Sequence, residues 1–290
     1  MFYMDLPSSP AMLCSGAEID LKQFWTSLCN EAQKIADSEE TLRPLIEDVI
    51  LTQESFSECI ATRLSRKLAR EDMSREQVFS TLSSVIDSCD EILHSIARDL
   101  IAINDRDPAC NSVAEPFLFF KGFHAITNYR VSHLLWEQKR TALALYFQSL
   151  GSEIFQVDIH PAAKIGCGIM LDHATSFVVG ETGIIEDNVS ILHEVTLGGT
   201  GKESGLRHPV VRTGVLIGAG VKILGRVEVG ANSKIGAGSV VLANVPPNVT
   251  VVGVPAKIVS SNTEAQPALE MDQCLKFVEL QQSSLDSASL

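Results

Sequence analysis

The sequence predicts an α+β chain, with an α-helical N-terminal domain followed by a left-handed parallel β-helix of hexapeptide repeats. Two observations predict it. Apolar residues recur at three-to-four spacing through residues 18–150 and at six-residue spacing beyond Gly151. Glycine divides the chain at the same place, since 17 of its 19 glycines lie at or beyond position 151.

In the first half, Leu21, Phe24, Trp25, Leu28 and Ala32 mark one helical stripe. Ile60, Leu64 and Leu68 mark another, and Phe119, Phe123, Ile126, Tyr129 and Val131 a third. Between positions 17 and 150 glycine occurs only at 122, so little interrupts these helices. Pro44, Pro108 and Pro116 mark breaks, Asp107-Pro108 ends a helix and opens a linker, and Gly151 closes the region. The organisation expected is an unassigned segment 1–18, a helical oligomerisation domain 19–151, a β-helix 152–260 with a loop at 202–209, and a flexible tail 261–290.

The repeat unit is an aliphatic residue, a small or acidic residue, two free positions, a small or branched residue and one more. Clear copies start at Ile185, Ile217, Val229 and Ile235, and looser ones at Ile165, Val179, Ile191, Leu197, Val211, Ile223 and Val241. Six residues suit a short strand and a sharp corner, with the aliphatic side chain inward and Gly or Asn turning the backbone. Three units complete a triangular coil, and coils stack at strand spacing, ~4.8 Å. Short antiparallel strands would instead need hairpin turns at regular intervals, which are absent.

The repeat slips twice. Starts at 159, 165 and 171 predict one at 177, yet the next good one is Val179. Starts at 191 and 197 predict 203 and 209, yet the next is Val211, so a segment from Lys202 to Pro209 leaves the coil as a loop. The first slip begins at Asp172-His173 and the second carries Arg207-His208, and irregularities in a regular scaffold are where function collects.

Composition narrows the partners. A net charge of −13 argues against a nucleic-acid ligand. No stretch reaches the ~20 apolar residues of a membrane span, and the N-terminus lacks the pattern of a secretion signal. Seven cysteines at 14, 29, 59, 89, 110, 167 and 274, scattered and without a C-x-x-C pair, read as reduced thiols. A cytoplasmic enzyme is the expectation.

Acyl transfer from a thioester to an alcohol needs a base, donors for an oxyanion and a site that holds both substrates; it requires no metal, cofactor or enzyme nucleophile. The best base is His173 in LDHATS. Asp158 in VDIHP lies about one coil earlier and could approach His173 from the coil below, fixing its tautomer; the plain alternative is a surface histidine beside a capping Asp. Arg207 and His208 suit a carboxylate, or are solvated loop charges. Asp172 and Asp107 could hold an ammonium, and Asp107 reads equally as a helix terminus. His193 reads as structural, His160 as a coil-opening residue, and His94, His124 and His133 as packed or solvated. Glycines at 198–201, 218–220 and 236–238 leave a groove with exposed amides for a long thin ligand, where Lys234 could meet a phosphate. Rival readings are an acetyltransferase for a sugar or another alcohol or amine, a zinc hydratase using His173, His193 and His208, and a non-catalytic scaffold.

The combination of RDPA, LDHAT and GLRHP with the hexads and GVPAKIV resembles the serine acetyltransferase family over roughly residues 20–260. The resemblance implies transfer of acetyl from acetyl-CoA to L-serine in cysteine biosynthesis. It implies His173 as general base oriented by Asp158, a serine pocket of Asp107, Asp172, Arg207 and His208, and an acetyl-CoA groove along Gly199, Ala219 and Lys234. It also implies feedback inhibition by L-cysteine in the serine pocket, and a homotrimer with sites between neighbours, two trimers joining through the helical domains. Family members often end in a tail closing with Ile that enters the active site of cysteine synthase. This chain departs from that pattern, ending SSLDSASL with Leu290 last, and its residues from 261 carry five acids and one Lys.

Overall fold

A computed structural model describes residues 19–201, 204–262 and 266–273. The first 18 residues, Lys202 and Glu203 of the expected loop, and the tail from 274 with its Leu290 terminus lie outside the described residues.

Helix α1 (Leu21–Ser38) starts where the Asp20 carboxylate accepts the N–H groups of Lys22 and Gln23, both at 3.0 Å. It buries Phe24, Leu28, Ala32 and Ala36, the face expected from spacing. After a 3₁₀ turn (Glu40–Leu42), α2 (Arg43–Ile46) runs into a π-helical turn (Glu47–Leu51). Pro44 sits in the first turn of α2, where a missing N–H is tolerated, so it starts a helix. Then come α3 (Phe56–Leu68) and α4 (Arg75–Ile86), the latter opened by a reciprocal Ser74–Gln77 capping box. Helix α5 (Asp90–Arg106) stops at Asp107, before Pro108. Helices α6 (Ala114–Phe119), α7 (Lys121–Glu137) and α8 (Thr141–Phe155) follow. Gly151 does not close the helical region: α8 continues to Phe155 and ends at Gln156, whose φ is 57°. Gly151 serves packing, since a Cβ there would stand 2.6 Å from the Asn128 amide nitrogen.

The β-helix has three faces. The first holds β1 (Val157–Ile159), β4 (Phe177–Val179), β7 (Thr196–Gly198), β10 (Lys222–Leu224) and β13 (Val240–Val241). The second holds β2 (Lys164–Ile165), β5 (Ile184–Ile185), β8 (Val210–Val211) and β11 (Glu228–Val229). The third holds β3 (Met170–Leu171), β6 (Ser190–Ile191), β9 (Leu216–Ile217), β12 (Lys234–Ile235) and β14 (Val249–Gly253), capped by antiparallel β15 (Ala256–Ser261). Every other pairing is parallel, and the repeat starts stack on one another: Ile165 on Ile185, Ile185 on Val211, Val211 on Val229. These starts are buried, as are the branched residues four positions on, such as Val189, Val195, Val215 and Val221. Each such aliphatic side chain contributes about 1.5–3 kcal/mol.

Both slips are visible in the register. Val211 to Val229 spans one regular coil; the step from Ile165 to Ile185 is two residues longer, and that from Ile185 to Val211 eight longer. The first excess lies at residues 172–176 and the second in the segment that includes Arg207 and His208.

A buried ion pair joins the two parts. Arg130 on α7 donates from Nε and Nη2 to the two carboxylate oxygens of Asp99 on α5, at 2.7 and 2.9 Å. The same Nη2 donates to the Gly166 carbonyl (2.7 Å), and Asp99 accepts the Ile169 N–H (2.9 Å), both in the first coil. Arg106 donates to Ser190 and Asn188 in the second coil.

Part of the tail expected from 261 falls within the described residues. β15 runs to Ser261, and a helical turn, α9 (Pro267–Glu270), lies along the solenoid, with Ser190 donating to the Ala268 carbonyl at 2.8 Å. Among the described residues no helix is long and apolar enough to cross a membrane. Asp99→Ala should destabilise the chain by about 3–5 kcal/mol, because it leaves the Arg130 charge buried without its carboxylate. Equilibrium urea unfolding checks this, and a loss under 1 kcal/mol would mean that the pair is not the joint between the domains.

Candidate active site

The corner between the third face and the first carries the first slip. Instead of a plain bend, Asp172 to Ser176 form a loop in which His173, Ala174 and Ser176 have φ of 55°, 62° and 61°. Such left-handed conformations cost non-glycine residues about 1–3 kcal/mol each and persist only where the surroundings enforce them. Here the Asp172 N–H donates to Ile191, Ser176 to Gln156, and Glu194 to Thr175, tying the loop to the next coil and to the end of α8. Lys121, the first residue of α7, donates to the Thr175 hydroxyl. Gly122 lets α7 approach, because a Cβ there would stand 2.0 Å from the Leu171 carbonyl oxygen.

The loop pushes the His173 imidazole into solvent, its side chain 72% exposed. Its Nε2 is 3.7 Å from Asp172 Oδ2, and its ring meets that of His193 edge-on at 5.8 Å between centroids. Beside it opens a cavity of about 390 Å³ lined by Asp107, Phe119, Lys121, Gly122, Asp172 and His173, among others. Burial pushes the Asp172 carboxyl above its ordinary range; His173 opposes the shift and the nearby Asp107 charge adds to it. Asp107, 65 residues before Asp172 in the chain, is thus brought to one pocket with Asp172 and His173.

Arg207 and His208 stand elsewhere, at the corner between the first face and the second. Arg207 pairs with Glu181 at 2.7 Å. The His208 ring lies against Gly180, where a Cβ would fall 1.9 Å from Nε2, and near Gly199. Its Nδ1 accepts from the Thr182 N–H (3.1 Å) and lies 2.9 Å from the Thr182 hydroxyl. That hydroxyl already accepts the Arg207 and His208 N–H groups, so its proton points at Nδ1. Nδ1 is therefore bare and Nε2 carries the hydrogen in the neutral ring. Burial, then the Arg207 charge, holds the His208 pKa below its ordinary value.

Within one chain Asp158 does not reach His173. It lies on β1 in the first face, its Cα in register with Val178, and its Oδ1 accepts from Gln148 on α8 at 2.6 Å. The two extra residues of the first slip place His173 at the corner before that register position, so a separation of nearly one coil in sequence does not become contact in space.

The residues expected along an acetyl-CoA groove do not share one edge. His173, His193, Ala219 and Ala237 follow one another up the edge between the third and first faces. Along it Gly238 has no atom within 4 Å of an added Cβ, and Gly220 only the Gly238 backbone. The expectation of exposed amides is corrected for Gly218, Gly220 and Gly238, because each donates to the neighbouring coil. These glycines supply clearance. Gly199 belongs to the other edge, beside Arg207 and His208. Lys234, at 5% exposure, is buried in the third face between Leu216 and Thr250, and so does not stand open on a groove wall. Lys222, whose ammonium donates to the Glu194 and Gly220 carbonyls, is the cation on the glycine edge.

Three further residues contact these side chains or their loop: His193, Glu181 and Lys121. His193 was assigned to structure, yet it touches His173, and its Nδ1 is buried without a partner. Its position two residues past the repeat start Ile191, as His173 is past Leu171, was the available signal. Glu181 and Lys121 become visible only with the register known. The three histidines of the hydratase reading do not converge within the chain, as His208 is on a different edge from the other two, and among the described residues no cluster of metal-ligating side chains is present.

A triangular solenoid of hexads with a strained loop presenting a histidine at its edge is the architecture of a hexapeptide-repeat acyltransferase. Residues 24–128 match the family described as Serine acetyltransferase, N-terminal, and residues 208–243 match Bacterial transferase hexapeptide (six repeats). A serine acetyltransferase of Salmonella typhimurium (strain LT2) is 49% identical over 254 residues, which are 88% of this chain and 93% of that protein. The chain belongs to the serine acetyltransferase family. A solved serine acetyltransferase in complex with cysteine superposes with a TM-score of 0.86 at 49% identity, covering 88% of this chain and 99% of that one. Another, from Brucella abortus strain S19 in complex with coenzyme A, superposes with a TM-score of 0.81 at 48% identity, covering 84% and 99%.

Histidine ¹⁵N spectra at pH 7 should show His208 as the neutral Nε2–H tautomer. Because its folded pKa is depressed, the stability it contributes is present above the unfolded value, ~6.5, and is lost as pH falls through the folded one. An Nδ1–H tautomer, or protonation at the ordinary value, would contradict the Thr182 contacts.

Proposed function

We propose that this chain transfers the acetyl group of acetyl-CoA to the hydroxyl of L-serine by direct attack, with His173 as the general base. The observation that carries the reading is His173, held exposed by a strained loop at the mouth of a pocket that also contains Asp107 and Asp172. In this reading the two acids receive the serine ammonium. Arg207, released from Glu181, and the Nε2–H of His208 receive the carboxylate. His173 takes the hydroxyl proton as oxygen attacks the thioester carbon, and its imidazolium returns that proton to the sulfur as the C–S bond breaks, so that CoA leaves as the thiol. The pantetheine arm runs along the glycine edge through Ala219, with Gly199 on the facing wall.

One chain divides this machinery between two edges of the first face. The base and the acids lie on one, and Arg207, His208 and Gly199 on the other, with Asp158 between them. Different patches meet through head-to-tail contacts, which a closed ring satisfies for every copy. In this reading the ring is a homotrimer, in which each neighbour supplies Arg207, His208 and Asp158 to the next chain's His173, and Asp158 orients the imidazole from across the boundary. Pairing of two trimers through the helical domains follows from the family resemblance. L-cysteine carries the same ammonium and carboxylate as L-serine, so it occupies the same pocket and competes with serine. The cytoplasm, the compartment that suits reduced cysteines, is the proposed location. The tail through which family members meet cysteine synthase lies outside the described residues, and its last residue here, Leu290, departs from their closing Ile.

Thiol release from acetyl-CoA tests the reading, with L-serine, D-serine, L-homoserine and a sugar panel as acceptors. L-serine should be preferred, and His173→Ala should lose ~10²–10⁴-fold in turnover while the oligomer persists; near-normal turnover in the folded variant would remove His173 from the mechanism. Shared sites predict complementation. His173→Ala and Arg207→Ala chains, each nearly inactive alone, should regain activity when co-assembled, because some sites then combine two intact halves. Absence of recovery in verified mixed oligomers would place both halves in one chain.

A further inference from the structure

We propose that Lys121 is a positioning residue for acyl transfer, holding the loop that presents His173 through its bond to Thr175. The proposal rests on His173 as the base. Lys121 is the first residue of α7 and lines the same cavity as Asp107, Asp172 and His173. Its ammonium donates to Thr175 Oγ1, two residues past the imidazole. The loop it holds contains His173, Ala174 and Ser176 at positive φ, and its backbone relaxes unless held. Backbone bonds secure the loop on two sides: Glu194 donates to the Thr175 carbonyl from the next coil, and Ser176 donates to Gln156. The side toward the cavity is held from α7, by the Lys121–Thr175 bond and by the seat of Gly122 on the Leu171 carbonyl. Gly122 brings α7 close enough for a long side chain to reach over the pocket, and α7 is fixed in turn by Arg130. Lys121 thus transmits the rigidity of the domain joint to the base.

The test compares Lys121→Met, Thr175→Val, the double variant and Lys121→Arg in the full chain, each checked for oligomer size. Lys121→Met and Thr175→Val should each lower kcat about 10- to 100-fold, the scale set by misplacing a catalytic group by ~1 Å, with KM for acetyl-CoA unchanged. The double variant should be no worse than the poorer single, since both remove one bond, and Lys121→Arg should restore most of the rate. A second readout needs no substrate: the rate at which diethyl pyrocarbonate modifies His173, followed by mass spectrometry, should change in both single variants. Full kcat in Lys121→Met, or a loss confined to KM for serine and additive with Thr175→Val, would overturn the proposal, the latter by placing Lys121 on the substrate. Should the parent chain transfer no acetyl to serine, the functional reading fails by itself, and unaltered His173 reactivity in both variants would separately sink this one. Where Lys121→Met does not assemble, Thr175→Val carries both measurements.

Discussion

The bidentate pair between Asp99 and Arg130 is the constraint on which the rest of the molecule depends. A solenoid coil has no partner beyond its own end, and the first coil here would otherwise leave its carbonyls and N–H groups uncovered. Arg130 and Asp99 are both almost wholly buried, at 7% and 0% exposure, and between them they satisfy the Gly166 carbonyl and the Ile169 N–H. Buried charge of this kind is weak as a source of net stability but strict about geometry, because neither partner tolerates loss of the other. It sets where α5 and α7 stand on the first coil. Those two helices then bring Asp107, at the end of α5, and Lys121, at the start of α7, to the same loop.

That loop illustrates how a regular scaffold becomes a site. Hexads give every corner the same short turn, and at such a corner the His193 ring stays half-buried. Two added residues swell one corner, the left-handed conformations turn His173 outward, and bonds from the next coil and from both sides of the helical domain hold it there. The second insertion, eight residues long, does the corresponding work at the other edge, where Thr182 and Gly180 hold the His208 ring and Glu181 holds Arg207. Regularity elsewhere is what makes these departures rigid.

Much of this was legible in the sequence for a physical reason. An inward side chain every six residues is a local demand of each corner, so the solenoid, its phase slips and the rank of its core residues follow from spacing alone. The stripes of α1 and α3, the stop before Pro108 and the motif-bearing residues Asp172, His173, Arg207 and His208 were equally local; the third stripe divides, because Phe119 ends α6 exposed while Phe123, Ile126, Tyr129 and Val131 are buried on α7. Which groups share a pocket was decided only by the fold. Asp158 lies nearly one coil from His173 in sequence, yet the register set by the inserted residues leaves it beside Val178 and Gln148. Lys234 carries the charge expected of a phosphate ligand, yet its strand places it between Leu216 and Thr250 in a covered face. Glycine amides that spacing suggested were open are spent on the ladder between coils. Lys121, Glu181 and His193 acquire roles only through neighbours tens of residues away, because contact across a solenoid depends on the count of residues in every intervening turn, and on how the helices are docked against its first coil.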